Sequence, residues 1–278
     1  MMDEHNTYPM QDEDDGVPEQ VSNIIQHHTI GLMLLTKEPT TKLINPHIGC
    51  GTLVAIHGIH GIITASHVVE RFPVTDAYCL GLVLSEKANV FKIDKSCIKI
   101  YKISDGLYDE NGPDLAFIQL SEPDISTIKA ILSFQNLDID HSNYDPCEID
   151  DYGWVVCGTP GVQTEWSENE AGYKKILSLS NYCLFVDKPI EQVINGYDYL
   201  DFEIDTKKNS RVPSLLNGMS GGGVWKVEWK EVYNNFQYSY WGIIFWQTEL
   251  IDGKRFLRCH GRKSIYKLLK HVLESFIS

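Results

Sequence analysis

The chain is broken into short apolar runs, rich in β-branched and aromatic residues, each closed by a turn. The first half holds HTIGLMLL (28–35), GTLVAI (51–56), GIITAS (61–66), AYCLGLVL (77–84), CIKIYKI (97–103) and LAFIQL (115–120). The second half holds GWVVCGTP (153–160), ILSLSNYCLFV (176–186), YLDFEI (199–204), GVWKVEW (223–229), YWGIIFW (240–246) and RFLRCHG (255–261). Runs of this length between turn signals predict strands, about six in each half. The C-terminus differs: Ile265, Leu268, Leu269, Val272, Leu273 and Phe276 recur at helical spacing. They predict an amphipathic helix with its apolar stripe on the second half. The pattern as a whole predicts an all-β chain of two six-stranded antiparallel β-barrels with a C-terminal α-helix, although other β architectures share it.

The expected divisions follow. Residues 28–121 form the first barrel and 151–278 the second barrel with its helix. Residues 122–150 are mixed and polar, and read as a linker with a short helix near ISTIKAIL. Residues 1–27, beginning MMDEHNTYPMQDEDDGVPEQ, read as an acidic disordered tail, either simply solvated or a docking arm. That start lacks the basic flank and apolar stretch of a secretory signal, and no apolar run is long enough for a membrane helix. The expected compartment is therefore the cytoplasm.

Composition narrows the function classes. The net charge of −14 comes without a cluster of Lys and Arg, so neither nucleic acid nor a membrane is an expected partner. The seven cysteines are odd in number, form no CxxC pair and mostly sit inside apolar runs, as reduced buried thiols do. His57 and His60, in AIHGIHGI, tempt a metal reading. With no carboxylate or cysteine beside them in sequence, they read as hairpin-turn residues. No metal or cofactor is expected.

Three stretches carry residue types suited to nucleophilic chemistry. IITASHVVERF (62–72) sets His67 at the end of a strand, and imidazole exchanges protons near neutral pH. NGPDLAFIQL (111–120) sets Asp114 at the start of another. SLLNGMSGGGVW (214–225) surrounds Ser220 with glycines. Each alone has a structural reading: a satisfied histidine, a turn-forming aspartate, a glycine-rich bend. Together they supply a nucleophile, a base and an orienting carboxylate. The glycines let a tight turn present the N–H groups of Gly218 and Ser220 to an oxyanion.

These motifs resemble those of the chymotrypsin-like serine proteases. TASH is similar to their TAxH motif, DLAFIQL to their Asp-Leu-Ala strand, and GMSGGGVW to their G-x-S-G-G-P-V turn. CGTL (50–53), GWVVCGTPG and WGIIFWQ look like neighbouring strands of that family, so the likeness runs over roughly residues 28 to 278. It implies a serine endopeptidase acting on protein or peptide through an acyl-enzyme, with His67, Asp114 and Ser220 as the triad. The N–H groups of Gly218 and Ser220 would form the oxyanion hole. Ser214, Trp246, Gln247 and His260 would line the substrate cleft.

The departures from the family pattern also carry expectations. Met219 stands where digestive members have aspartate, so the likeness is closer to intracellular bacterial, HtrA-type or viral members. Residues 214–219 then become a switchable element, open to a regulatory protein partner or to the tail. Ser214 offers no charge to a basic side chain, which implies restricted, non-tryptic specificity. Gln247 replaces a glycine and should narrow the cleft. Phe245 replaces the serine that commonly bonds the triad carboxylate. Two other readings share these residues: an inactive protease-fold module that binds peptides or partners, and an esterase with the same triad.

Overall fold

A computed structural model describes residues 19–36, 47–72, 78–84, 90–103, 111–138, 152–161, 164–168, 174–208, 212–213, 215–230 and 235–277. The first half contains α1 (Glu19–Gln26), β1 (Thr29–Thr36), β2 (His47–Ile56), β3 (Ile59–Thr64), α2 (Ser66–Val69), β4 (Tyr78–Val83), β5 (Val90–Asp94), β6 (Lys99–Lys102), β7 (Ala116–Gln119), α3 (Glu122–Lys129) and β8 (Gln135–Asn136). The second contains β9 (Tyr152–Gly158), β10 (Thr164–Glu168), β11 (Lys174–Leu179), β12 (Tyr182–Val186), β13 (Ile190–Ile194), β14 (Tyr197–Asp205), β15 (Gly223–Lys230), β16 (Asn235–Gln247), β17 (Lys254–His260) and α4 (Arg262–Ile277).

The strands make two large antiparallel sheets, one per half. The first runs β5-β4-β1-β2-β3-β7-β6, with β8 adding a short parallel pairing to β2. The second runs β12-β9-β15-β16-β17-β14-β13, and β10 and β11 form a separate ribbon. The central strands are those whose apolar runs are nearly continuous. Along β2 all but one residue is buried, and Val155, Val156 and Cys157 are fully buried in β9. One core joins the halves, with Leu53, Ile62 and Phe117 of the first sheet beside Trp225, Tyr240 and Phe245 of the second. Full burial of a large aliphatic or aromatic side chain is worth about 1.5–3 kcal/mol, so this shared core is a major source of cohesion.

The expected helix forms at α4, and its stripe of Ile265, Leu268, Leu269 and Val272 is buried. It packs on β7 of the first sheet as well as on β14 and β16, so it closes both halves rather than the second alone. Its first turn is capped from a distance: the Asp198 carboxylate accepts from the N–H groups of Lys263 (3.0 Å) and Ser264 (2.7 Å). A carboxylate there satisfies amides that have no partner within the helix.

Several expectations shift. The tail was drawn to residue 27, but residues 19–26 are helical and bury Val21 and Ile25. Residues 1–18 lie outside the described residues. The run 176–186 is two strands, β11 and β12, interrupted at Ser180 and Asn181. The linker opens with α3, three residues earlier than ISTIKAIL suggests, because Pro123 starts the first turn and Ile125 and Ile128 face the core. Its later part, 139–150, lies outside the described residues.

Candidate active site

Strand β3 ends at Thr64, Ala65 is extended (ψ 144°), and the single turn of α2 carries His67. The strand end fixes where the imidazole starts, and the turn aims it toward Asp114 at the entry to β7. The contact uses both carboxylate oxygens. The His67 backbone N–H donates to Oδ1 at 2.9 Å, and Nδ1 meets Oδ2 at 2.5 Å. Two bonds from one residue hold the carboxylate by both of its oxygens. Asp114 is 2% exposed, so water scarcely competes for it. With Nδ1 committed to Asp114, Nε2 is the ring nitrogen placed to exchange a proton.

The serine turn is held from the first sheet. Gly218 and Gly221 have φ of +100° and +89°, where a side chain is strained. A Cβ at Gly218 would come within 2.7 Å of His47 Cε1 and 2.9 Å of the Thr159 carbonyl oxygen. A Cβ at Gly221 would collide with the Cys50 carbonyl oxygen and Thr64 Oγ1. The N–H groups of Met219, Gly221 and Gly222 are spent on Leu216, Ile244 and Met219 carbonyls at 3.1, 2.7 and 2.8 Å. Among the described residues, the N–H groups of Gly218 and Ser220 have no such partner. Two unspent N–H groups on one turn are the kind of donor pair that an oxyanion would need.

Cys50 supports the serine turn, a role that sequence reasoning passed over. Its N–H donates to the Ser220 carbonyl oxygen at 2.7 Å, and its Sγ donates to the Gly218 carbonyl oxygen at 2.9 Å. Thr159 N–H in turn donates to that sulfur at 2.9 Å. Burial pushes the thiol up to about 11, so it keeps its proton as a donor. The only signal was its place at the head of CGTL; nothing local said that it would meet a turn more than a hundred residues away.

His67, Asp114, Gly218 and Ser220 line one cavity of about 440 Å³. Trp246 and Gln247 line it too, as expected. Gln247 donates to Asn217 Oδ1, and its Oε1 accepts from Arg255 Nη1 at 2.7 Å, so it is braced across the cleft. Ser214 lies outside the described residues. His260 was expected on the cleft wall, but it is fully buried and absent from the lining; it sits behind Asp114 instead. His47 and Arg71 line the cavity without having been singled out. Arg71 follows His67 by four residues, the spacing that brings two side chains to one side of a helical turn.

The other histidines are settled by their surroundings. His57 occupies the turn between β2 and β3, at φ +47°, but His60 already lies on β3, opposite Ala55. A carboxylate does approach, contrary to the sequence expectation: Asp138 Oδ1 is 3.0 Å from His57 Nδ1. Among the described residues no group of three or more metal-ligating side chains forms. Cys147 lies outside the described residues, and the other six cysteines are free thiols.

Burial holds three rings well below the usual histidine range: His28 and His47 to about 4, and His260 to about 3. In each case the unfolded chain binds protons first as pH falls below about 6.5. Stability contributed by the neutral buried rings is present above that pH and is lost toward pH 4. Denaturant midpoints should therefore fall steadily between pH 7 and pH 5, before most carboxylates titrate. An unchanged midpoint over that interval would show that the rings are not buried neutral.

No protein-family model matches the sequence, and a search of curated proteins returns no match.

Proposed function

We propose that the chain is a serine endopeptidase of the chymotrypsin-like class, built on two six-stranded barrels. One observation carries the reading: a doubly bonded His67–Asp114 pair shares a cavity with Ser220 and with the two unspent N–H groups of its turn. In this mechanism Ser220 Oγ attacks the scissile carbonyl while His67 Nε2 takes its proton. The N–H groups of Gly218 and Ser220 receive the oxyanion. His67 then protonates the departing amine, leaving an acyl-enzyme that water hydrolyses by the same route. Asp114 holds the ring with its proton on Nδ1 and offsets the imidazolium charge. No metal or cofactor enters this scheme.

A fluorophosphonate probe tests the nucleophile. The wild-type protein should be labelled at Ser220, and the Ser220→Ala variant should not. Peptide and ester substrates then separate peptidase from esterase. Peptide binding without labelling or turnover would favour a binding module.

The cavity also suggests a substrate class. Leu216, Ile244, Trp246 and Leu257 offer an apolar wall for a side chain. Among the described residues Arg71 is the one Lys or Arg on the lining, it is exposed, and no carboxylate of theirs pairs with it. A peptide with an acidic residue on the Arg71 side should turn over faster than its amide counterpart, by roughly two- to fivefold for a partly solvated pair. The preference should fade in high salt and vanish in Arg71→Ala. Equal turnover of the matched peptides by the wild-type enzyme would remove Arg71 from specificity.

A further inference from the structure

Phe245, a departure from the resembling family, meets His260, which the resemblance had placed on the cleft wall. Phe245 occupies the position where a serine hydroxyl would support the triad carboxylate. Its ring stacks on His260, with centroids 4.3 Å apart and planes 21° apart. Tyr199 stands against the same imidazole at 5.0 Å. Strand pairing sets this up, since His260 on β17 lies opposite Ile243 of β16 and Tyr199 of β14. The ring is thus immobilised by neighbours from two strands.

The stacked ring reaches the triad through the backbone. The Asp114 N–H donates to His260 Nε2 at 2.9 Å. Three residues earlier, the Asn111 carbonyl oxygen accepts from Tyr199 Oη at 2.6 Å. Gly112 packs directly on the imidazole: a Cβ there would stand 3.2 Å from Nε2. The loop 111–114 belongs to the first half, and both anchors belong to the second sheet. An imidazole that accepts at Nε2 is neutral and carries its proton on Nδ1. A proton on Nε2 would set two donors against each other.

We propose that His260 is a positioning residue: its Nε2 holds the Asp114 backbone and, through it, the carboxylate against His67, replacing the side-chain support that Phe245 has removed. The proposal rests on the peptidase reading for its effect on rate. The brace itself is a matter of protonation and geometry that can be read without turnover.

The test uses the full chain with ¹⁵N-labelled histidine and three proteins: wild type, His260→Phe and His260→Gln. In the wild type, His260 should show a protonated Nδ1 and an unprotonated Nε2, and the His67 Nδ1 proton should resonate far downfield. A protonated Nε2 on His260 would overturn the proposal. His260→Phe keeps a ring against Phe245 and removes the acceptor. It should shift or broaden the His67 resonance and lower kcat roughly ten- to hundredfold, with KM little changed, as expected for a displaced catalytic group. His260→Gln, whose Oε1 can take the place of Nε2, should recover most of the loss. An unmoved His67 resonance in His260→Phe, or a glutamine variant no better than phenylalanine, would reduce His260 to packing. If the wild type neither labels nor turns over substrate, the peptidase reading fails, while the wild-type tautomer and the His67 resonance still decide the brace.

Discussion

Ser220→Ala should leave a folded protein with no fluorophosphonate labelling and with kcat lower by about 10⁶-fold, the loss seen when a triad nucleophile is removed. The fold should survive because the contacts that hold the turn are made by its backbone. The Ser220 carbonyl oxygen still accepts from Cys50 N–H, and Gly221 N–H still donates to the Ile244 carbonyl oxygen. The oxyanion donors are also backbone groups and remain. What disappears is the hydroxyl that the proposed mechanism uses to form the acyl bond. An unchanged melting temperature with lost labelling is therefore the expected pair of results. Labelling or turnover that persists in the variant would point to a different nucleophile.

Asp114→Asn should cost about 10⁴-fold in kcat at neutral pH, as a neutral amide does in a triad that needs one tautomer. The asparagine carbonyl can still accept from the His67 N–H. Its amide group would then face Nδ1 as a donor, where the carboxylate oxygen now accepts at 2.5 Å. The ring answers by moving its proton to Nε2, the nitrogen that must receive the serine proton. Single-turnover acylation and the rate of probe labelling both read this step directly. A fall of less than tenfold would mean that Asp114 does not set the tautomer. Binding of a peptide in the cleft should change little, which separates this loss from a collapsed site.

The parts that sequence reading missed share a physical character. Strand β13, IEQVI, is an edge strand whose residues are almost all exposed, so it carries no inward alternation to read. Strand β5, VFKID, lies at the edge of the first sheet and buries Ile93 alone. Helix α1 is eight residues long and buries only Val21 and Ile25, a signal easily lost in an acidic stretch. The strands that were legible, such as β2, β3, β7 and β9, are buried on both faces and therefore apolar almost throughout. The same division holds in the site. His67, Asp114 and Ser220, which line one cavity, could be singled out because glycines, a strand end and a turn mark them locally. The contacts of Cys50 were passed over and His260 was misplaced because each bonds a distant backbone group.

By itself the sequence determined where the buried strands and the closing helix run, and which residue types could supply a base, a carboxylate and a nucleophile. Those properties depend on periodicity, turn chemistry and functional groups within a few residues of one another. Only the tertiary structure decided that Asp114 reaches back 47 residues to His67, that His260 crosses 146 residues to the Asp114 amide, and that Cys50 spans 168 residues to the Gly218 carbonyl. These are hydrogen bonds of fixed length between segments remote in sequence, and the last two cross from one half to the other. Their partners are selected by register and packing, which exist only once the chain has closed around a common core.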